Sequence, residues 1–163
     1  MASTTNNQSP PVFDDKPEIF DRAFTKVKKA YASGKTKPYA FRLQQLKNLK
    51  EGMLKMQDDF DKALTQDLGK DTFTNWVLEF TACIRECDDA ISNLKRWMKD
   101  ECVHTPMVVG PGKSYIQHEP MGVVVVLGSW NYPIGTLIPP IISAIAAGNA
   151  VIAKPSEMAP WTA

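Results

Sequence analysis

Between Met121 and Ala153 the chain carries no charged residue, and what this run can become limits the fold more than any other feature. Its length would allow a bilayer span, which takes about 20 apolar residues. Three interruptions argue otherwise: Gly128-Ser129-Trp130-Asn131, Pro139-Pro140 and Gly148-Asn149. They divide the run into pieces sized for a strand, a helix and a strand. Val123 to Leu127 is continuous and β-branched, the pattern of a strand buried on both faces of a parallel sheet. The expected elements are a strand over 122–127, a helix over 139–147 and a strand over 150–154, joined as a right-handed βαβ unit. If the strands are parallel, both end on one edge of the sheet, where open α/β sheets bind ligands.

The residues before this unit read as helices. Over 14–31, Asp14 or Asp15 suits the N-cap and Pro17 the first turn, with Phe20, Ala23, Phe24, Val27 and Tyr31 on one face and Gly34 as the stop. Pro38 opens a second helix, whose stripe of Leu43, Leu46, Leu49, Met53 and Met56 continues through Phe60, Leu64 and Leu68 to Gly69, with Gly52 loosening it locally. A third, long helix is expected over 72–99, with Trp76, Phe80, Cys83, Cys87, Ile91, Leu94 and Met98 on its packed face. Pro106 ends the helical part. Weak alternation over 113–119, after Gly110-Pro111-Gly112, suits an edge strand or hairpin arm. The resulting division is a flexible polar tail over 1–13, a helical part over 14–105, an arm over 106–120 and the βαβ region over 121–163.

Lys plus Arg total 19 against 18 for Asp plus Glu, so no net field attracts nucleic acid or an acidic membrane. Hydrophobic residues at 44% and charged residues at 23% suit a soluble globular chain. Three cysteines, without the spacing of a disulfide framework, fit a reducing compartment. Residues 1–11 have neither the apolar core of a signal peptide nor the arginines of a transit peptide.

Chemistry is concentrated at the two strand tips. Asn131 follows Trp130 at the end of the first strand, with Pro133 stiffening the turn. Its amide offers two N–H donors suited to an oxyanion, and it is equally suited to holding a tight turn by bonds to the backbone. At the second tip, Lys154-Pro155-Ser156-Glu157 puts a donor and an acidic acceptor where ribose hydroxyls are bound in open α/β sheets. The same residues also suit a solvated charge pair with Ser156 as a helix cap. No Gly-x-Gly-x-x-Gly follows either strand, so the dinucleotide fingerprint is absent. Cys83 and Cys87 lie on an apolar face as inert thiols. Cys102, His104 and His118 show neither metal spacing nor a nucleophile motif, so no metal site is expected.

The run Glu119-Pro120-Met121-Gly122 through Trp130-Asn131-Tyr132-Pro133, followed by Ala147-Gly148-Asn149-Ala150 and Lys154-Pro155-Ser156-Glu157, closely resembles the start of the coenzyme domain of aldehyde dehydrogenases, most of all their class 3 branch of fatty and aromatic aldehydes. Further blocks extend the resemblance from about Glu18 to the last residue: Phe41-Arg42-Leu43-Gln44-Gln45-Leu46, Asp67-Leu68-Gly69-Lys70, Asn93-Leu94-Lys95-Arg96-Trp97-Met98 and Pro111-Gly112-Lys113-Ser114-Tyr115-Ile116.

This resemblance implies an α/β fold: N-terminal helices, a hairpin arm and the first βαβ unit of a Rossmann-like coenzyme domain. It implies NAD as coenzyme, with NADP open because Lys154 could meet a 2′-phosphate that Glu157 would repel. Leu127, Gly128, Ser129 and Trp130 would line the coenzyme groove through backbone groups and the indole face, and Lys154 and Glu157 would clamp the adenosine ribose. Asn131 would help hold the oxyanion formed when a cysteine thiolate attacks an aldehyde. Hydride would then pass to the nicotinamide, and a glutamate would activate water to release the acid. A homodimer in the cytoplasm is the implied setting, with a membrane anchor in some relatives. None of the three cysteines has the family's nucleophile context, so the chain is expected to be an incomplete sequence of a longer enzyme and inactive alone. A short interaction module derived from the family is the alternative, and the reading frame past Ala163 separates the two.

Overall fold

The computed structural model describes residues 9–12 and 16–163. Apart from residues 9–12, the expected tail, and with it the Asp14 or Asp15 cap, lies outside the described residues. Helix α1, Pro17–Ala32, starts with Pro17 in its first turn after an extended Lys16, a position where the missing N–H costs nothing. Its Phe20 and Phe24, expected on the packed face, are exposed, while Ala23, Val27 and Tyr31 are half-buried. Tyr31 Oη anchors the helix by donating to the Pro120 carbonyl at 3.0 Å.

The second stripe is split into α2, Tyr39–Lys55, and α3, Gln57–Leu68. The break falls at Met56, which is exposed, rather than at Gly52. Gly69 ends α3 in the left-handed conformation. The third helix is not one regular element. It runs as α4, Thr72–Asn75, capped by Asp71 accepting from Thr74 N, then a π-helical turn over Trp76–Phe80, then α5, Thr81–Trp97. The wider turn shifts the helical phase. Trp76, expected in the core, is therefore 41% exposed, while Glu79 becomes completely buried.

Helix α5 lies at the centre. Leu46, Cys87, Ala90, Leu94, Ile142 and Ala146 form one apolar cluster, and Met53, Leu64, Phe80, Cys83 and Ile134 form a second. Each fully buried leucine is worth about 1.5–3 kcal/mol over its exposed state. Strand β1, Glu101–Val103, then pairs antiparallel with β2, Ser114–Ile116, with Cys102 opposite Tyr115. The second of these falls inside the expected arm; the first lies upstream of Pro106, where the sequence gives no alternation.

Strand β3, Val123–Leu127, and strand β4, Ala150–Lys154, are parallel, with Leu127 in register with Lys154. Between them runs α6, Pro133–Ala147, six residues earlier in its start than the sequence suggests. Pro133 takes the first helical turn, and Pro139 and Pro140 lie inside. They remove two backbone donors, but Ile134, Ile138, Ile142 and Ile145 pack α6 into both clusters, and that burial outweighs the loss. Nor is β3 buried on both faces: Val126 is buried, yet Val125 is 56% and Leu127 70% exposed. Helix α6 approaches both strands whereas α1 approaches chiefly β4, so alternate residues of β3 have no cover. Among the described residues no helix is long and apolar enough to cross a membrane.

Candidate functional site

Parallel pairing brings both tips to one edge. Gly128 N donates to the Lys154 carbonyl at 2.9 Å, extending the ladder one step past the strands. A Cβ at Gly128 would sit 3.2 Å from two atoms of the Leu137 side chain, a contact that Leu137 would have to relieve by shifting. Helix α6 thus packs closely over the end of β3, with little room for a larger side chain. Ser129 N donates to Thr136 Oγ1 at 2.9 Å, and Thr136 Oγ1 in turn donates to the Tyr132 carbonyl. With the Gly128 and Ser129 amides committed, what the groove offers a ligand is carbonyl oxygens, the exposed Leu127 side chain and the exposed Trp130 indole.

Asn131 is exposed at this tip. Its Oδ1 accepts from Ser129 Oγ at 2.8 Å, and Nδ2 has no partner among the described residues. The side chain makes no bond to the backbone of its own turn. An amide held through its oxygen presents both N–H groups outward, the arrangement that an oxyanion donor needs.

Lys154 and Glu157 form an exposed ion pair. The hydrogen bond from Lys154 holds the Glu157 carboxyl below the usual carboxylate range. Ser156 is buried and its Oγ accepts from Met158 N at 3.2 Å, in a turn rather than a helix. Donor and acceptor are therefore presented together beside the β4 tip, at the edge where open α/β sheets bind ligands.

Two further residues build this edge, and the sequence reading missed them. Glu79 receives Lys70 Nζ on Oε1 at 2.8 Å, and on Oε2 the backbone N–H groups of Ile134 at 3.0 Å and Gly135 at 3.2 Å. Lys70 also donates to the Asn131 carbonyl at 2.9 Å and lies 4.1 Å from the centre of the Tyr132 ring. The available signal was a single acid within Trp76-Val77-Leu78-Glu79-Phe80, a charge where a stripe predicts none.

The thiols stand apart. Burial pushes Cys83 up to about 12 and Cys87 up to about 11, so neither supplies a thiolate near neutral pH. Cys102 is exposed on β1, upstream of Pro106. An open cleft of about 690 Å3 lies towards the other end of α6, between Trp97, His118 and Ser143, away from Asn131.

The model of the aldehyde dehydrogenase family matches residues 4–163. The chain is 38% identical over 148 residues to aldehyde dehydrogenase family 3 member B3 of Mus musculus, covering 91% of this chain and 31% of that protein. It is 40% identical over 141 residues to the dimeric NADP-preferring aldehyde dehydrogenase of Canis lupus familiaris, covering 86% of this chain and 30% of that one. Among solved structures, the substrate-bound state of Staphylococcus aureus AldH superposes with a TM-score of 0.86 at 36% identity, over 88% of this chain and 31% of that chain. The chain thus spans under a third of the length of these relatives.

Proposed function

This chain belongs to the aldehyde dehydrogenase family, and from that premise we propose that it supplies the helical layer, the arm and the first coenzyme-binding βαβ unit of an NAD(P)-dependent enzyme that oxidises aldehydes to carboxylic acids. The observation that carries this reading is the Asn131 amide, held by Ser129 Oγ at the same sheet edge as the Lys154–Glu157 pair. Three units follow from the proposal: residues 14–105 pack on the coenzyme domain, 106–120 form an oligomerisation arm for a homodimer, and 121–163 open the coenzyme domain. Three free cysteines support a reducing, cytoplasmic setting.

The polar groups of the edge, the Lys154–Glu157 pair and the strand-end carbonyls, support the binding of a nicotinamide dinucleotide there. Glu157 and Lys154 would hold the adenosine ribose, while the carbonyls of Leu127, Gly128 and Ser129 and the Trp130 indole would line the groove. When bound, the coenzyme accepts hydride from the substrate carbon. Asn131 acts on the substrate itself. A nucleophile adding to the aldehyde carbonyl turns its oxygen into an oxyanion, and Nδ2 donates to that oxygen as charge develops. The donor is oriented before reaction, so little reorganisation accompanies the step.

Cys83 and Cys87 are buried with their thiols held protonated, and Cys102 lacks the sequence context of the family's nucleophile, so the chain by itself is expected to give no aldehyde-dependent reduction of NAD. The test is expression of the whole reading frame and assay of NAD(P)-dependent oxidation across aliphatic and aromatic aldehydes. Activity that Asn131→Ala lowers about 100- to 1,000-fold in kcat supports the assignment. Turnover by residues 1–163 alone, lost on replacing Cys83, Cys87 or Cys102, overturns it.

A further inference from the structure

The turn that presents Asn131 is anchored from another part of the chain, at the Asn131 carbonyl and at the start of α6. The Asn131 carbonyl accepts from Lys70 Nζ at 2.9 Å, its one partner among the described residues. Lys70 is not a loose surface lysine. Its side chain is 19% exposed, its ammonium sits 2.8 Å from Glu79 Oε1, and it lies over the Tyr132 ring. Glu79, completely buried, uses its other oxygen to accept from Ile134 N and Gly135 N in the first turn of α6, the turn that follows Asn131. One carboxylate therefore fixes the helix behind Asn131 directly and the peptide of Asn131 through Lys70.

A buried ion pair is a poor device for stability alone, because desolvating both charges costs about what their attraction returns. What it gives is direction: a fully buried carboxylate held on both oxygens by three named donors has little freedom to move. Its place in the π-helical turn adds to this, since the extra residue of that turn carries Glu79 inward while Trp76, Val77 and Leu78 stay exposed.

We infer that Lys70 and Glu79 are positioning residues for the oxyanion donor, setting the Asn131 amide through the Asn131 carbonyl and the start of α6. The inference rests on the proposed oxyanion role of Asn131.

The experiment uses the complete active enzyme and reads kcat at saturating aldehyde and coenzyme together with Kd for NAD. Four variants are compared: Asn131→Ala, Lys70→Met, Lys70→Met with Asn131→Ala, and Lys70→Met with Glu79→Gln. The last removes the charge that Lys70→Met alone would leave buried and unpaired, so it keeps the test open if the single variant fails to fold. Lys70→Met should lower kcat on the order of ten- to a hundred-fold, the scale of an ångström-sized misplacement. Kd for NAD should stay within about twofold, and in the Asn131→Ala background the same change should move kcat by less than about twofold, because the two act as one unit. The neutral double variant should fold and keep the low kcat. Parental kcat in Lys70→Met, an equal loss in the Asn131→Ala background, or recovery in Lys70→Met with Glu79→Gln each overturns the inference. Parental kcat in Asn131→Ala sinks the oxyanion role and this inference with it, whereas slow Asn131→Ala beside fast Lys70→Met sinks this inference alone.

Discussion

Asp67, near the end of α3, holds Thr162 by two hydrogen bonds to one oxygen: Thr162 N donates to Oδ2 at 2.8 Å and Thr162 Oγ1 at 2.7 Å. Its other oxygen accepts from Trp161 N at 3.1 Å. The segment that follows Glu157 is thus tied to the helical layer, across 95 positions of sequence. The Asp67-Leu68-Gly69-Lys70 block accordingly serves both tips, Asp67 behind the Lys154–Glu157 pair and Lys70 behind Asn131.

Asp67→Ala should therefore act on stability and on nucleotide binding together. Hydrogen bonds to a charged acceptor contribute about 1.5–3 kcal/mol each, and here two backbone donors would also lose their partner. The expected result is a lower urea midpoint with an unchanged m-value, and weaker NAD binding in the complete enzyme. Asp67→Asn should lose less, since the amide oxygen still accepts from one of the two sides. Equal midpoints for parent and Asp67→Ala would show that the 161–162 segment is held by other contacts.

Gly148→Ala tests the end of α6. Gly148 has φ +90° and an added Cβ would lie 2.5 Å from the Arg42 guanidinium. Arg42 is buried and donates to the Ala146 carbonyl at 3.1 Å and the Thr36 carbonyl at 3.3 Å, so it cannot swing away without abandoning both. A left-handed conformation costs a non-glycine residue on the order of 1–3 kcal/mol, and displacing Arg42 adds to it. A denaturation midpoint equal to the parent's would mean that α6 and α2 adjust freely at this contact.

The two buried thiols give a signed pH dependence. Cys83 rises from its ordinary 9.0 to about 12 and Cys87 from 9.0 to about 11, in both cases chiefly by burial. The folded chain then keeps protons that the unfolded chain releases. Stability from this source is fully present below pH 9 and declines as pH rises from there through the folded values. Denaturation midpoints measured from pH 8 to 10.5 should fall, and less so in Cys83→Ala. Alkylation of the native chain near pH 8 should reach Cys102 and spare the other two. Rapid native labelling of Cys83 would contradict its burial.

How far the sequence revealed this architecture depends on whether a signal was local. Strand β4 and the shared edge of the two tips were legible, because a short run around Val151 and Ile152 bounded by Gly148-Asn149 and Pro155 admits few alternatives. The start of α6 was not: proline most often opens a helix, and Pro139-Pro140 hid the fact that Pro133 already does. The π turn left no mark either, since an apolar period of three to four runs straight across Trp76 and Phe80. Asn131, Lys154 and Glu157 stand out as polar residues at the ends of apolar strands. The lone acid Glu79 stood out in an apolar stretch, but what it and Lys70 do emerges only when α6 is laid against the π turn, a relation that no spacing along the chain records.

Glu157 should decide between the two coenzymes as well as bind them. Its carboxylate, paired with Lys154 and held ionised by it, can accept from the ribose hydroxyls of NAD. With NADP the same charge faces a 2′-phosphate, and like charges about 4 Å apart repel by about 1 kcal/mol in water and by several when partly shielded from it. Lys154 pulls the other way, since it can pair with that phosphate once released from Glu157. Glu157→Gln should consequently weaken NAD, strengthen NADP relative to NAD, and leave kcat at saturation largely intact, because the ribose is remote from the reacting carbon. Lys154→Met should weaken both, NADP the more. The measurements are Kd for each coenzyme and kcat at saturation on the complete enzyme. Unchanged NAD affinity in Glu157→Gln would leave the pair as a surface salt bridge, a role worth little in solvent. A loss confined to kcat would instead put Glu157 next to the chemistry and displace the ribose from the β4 tip.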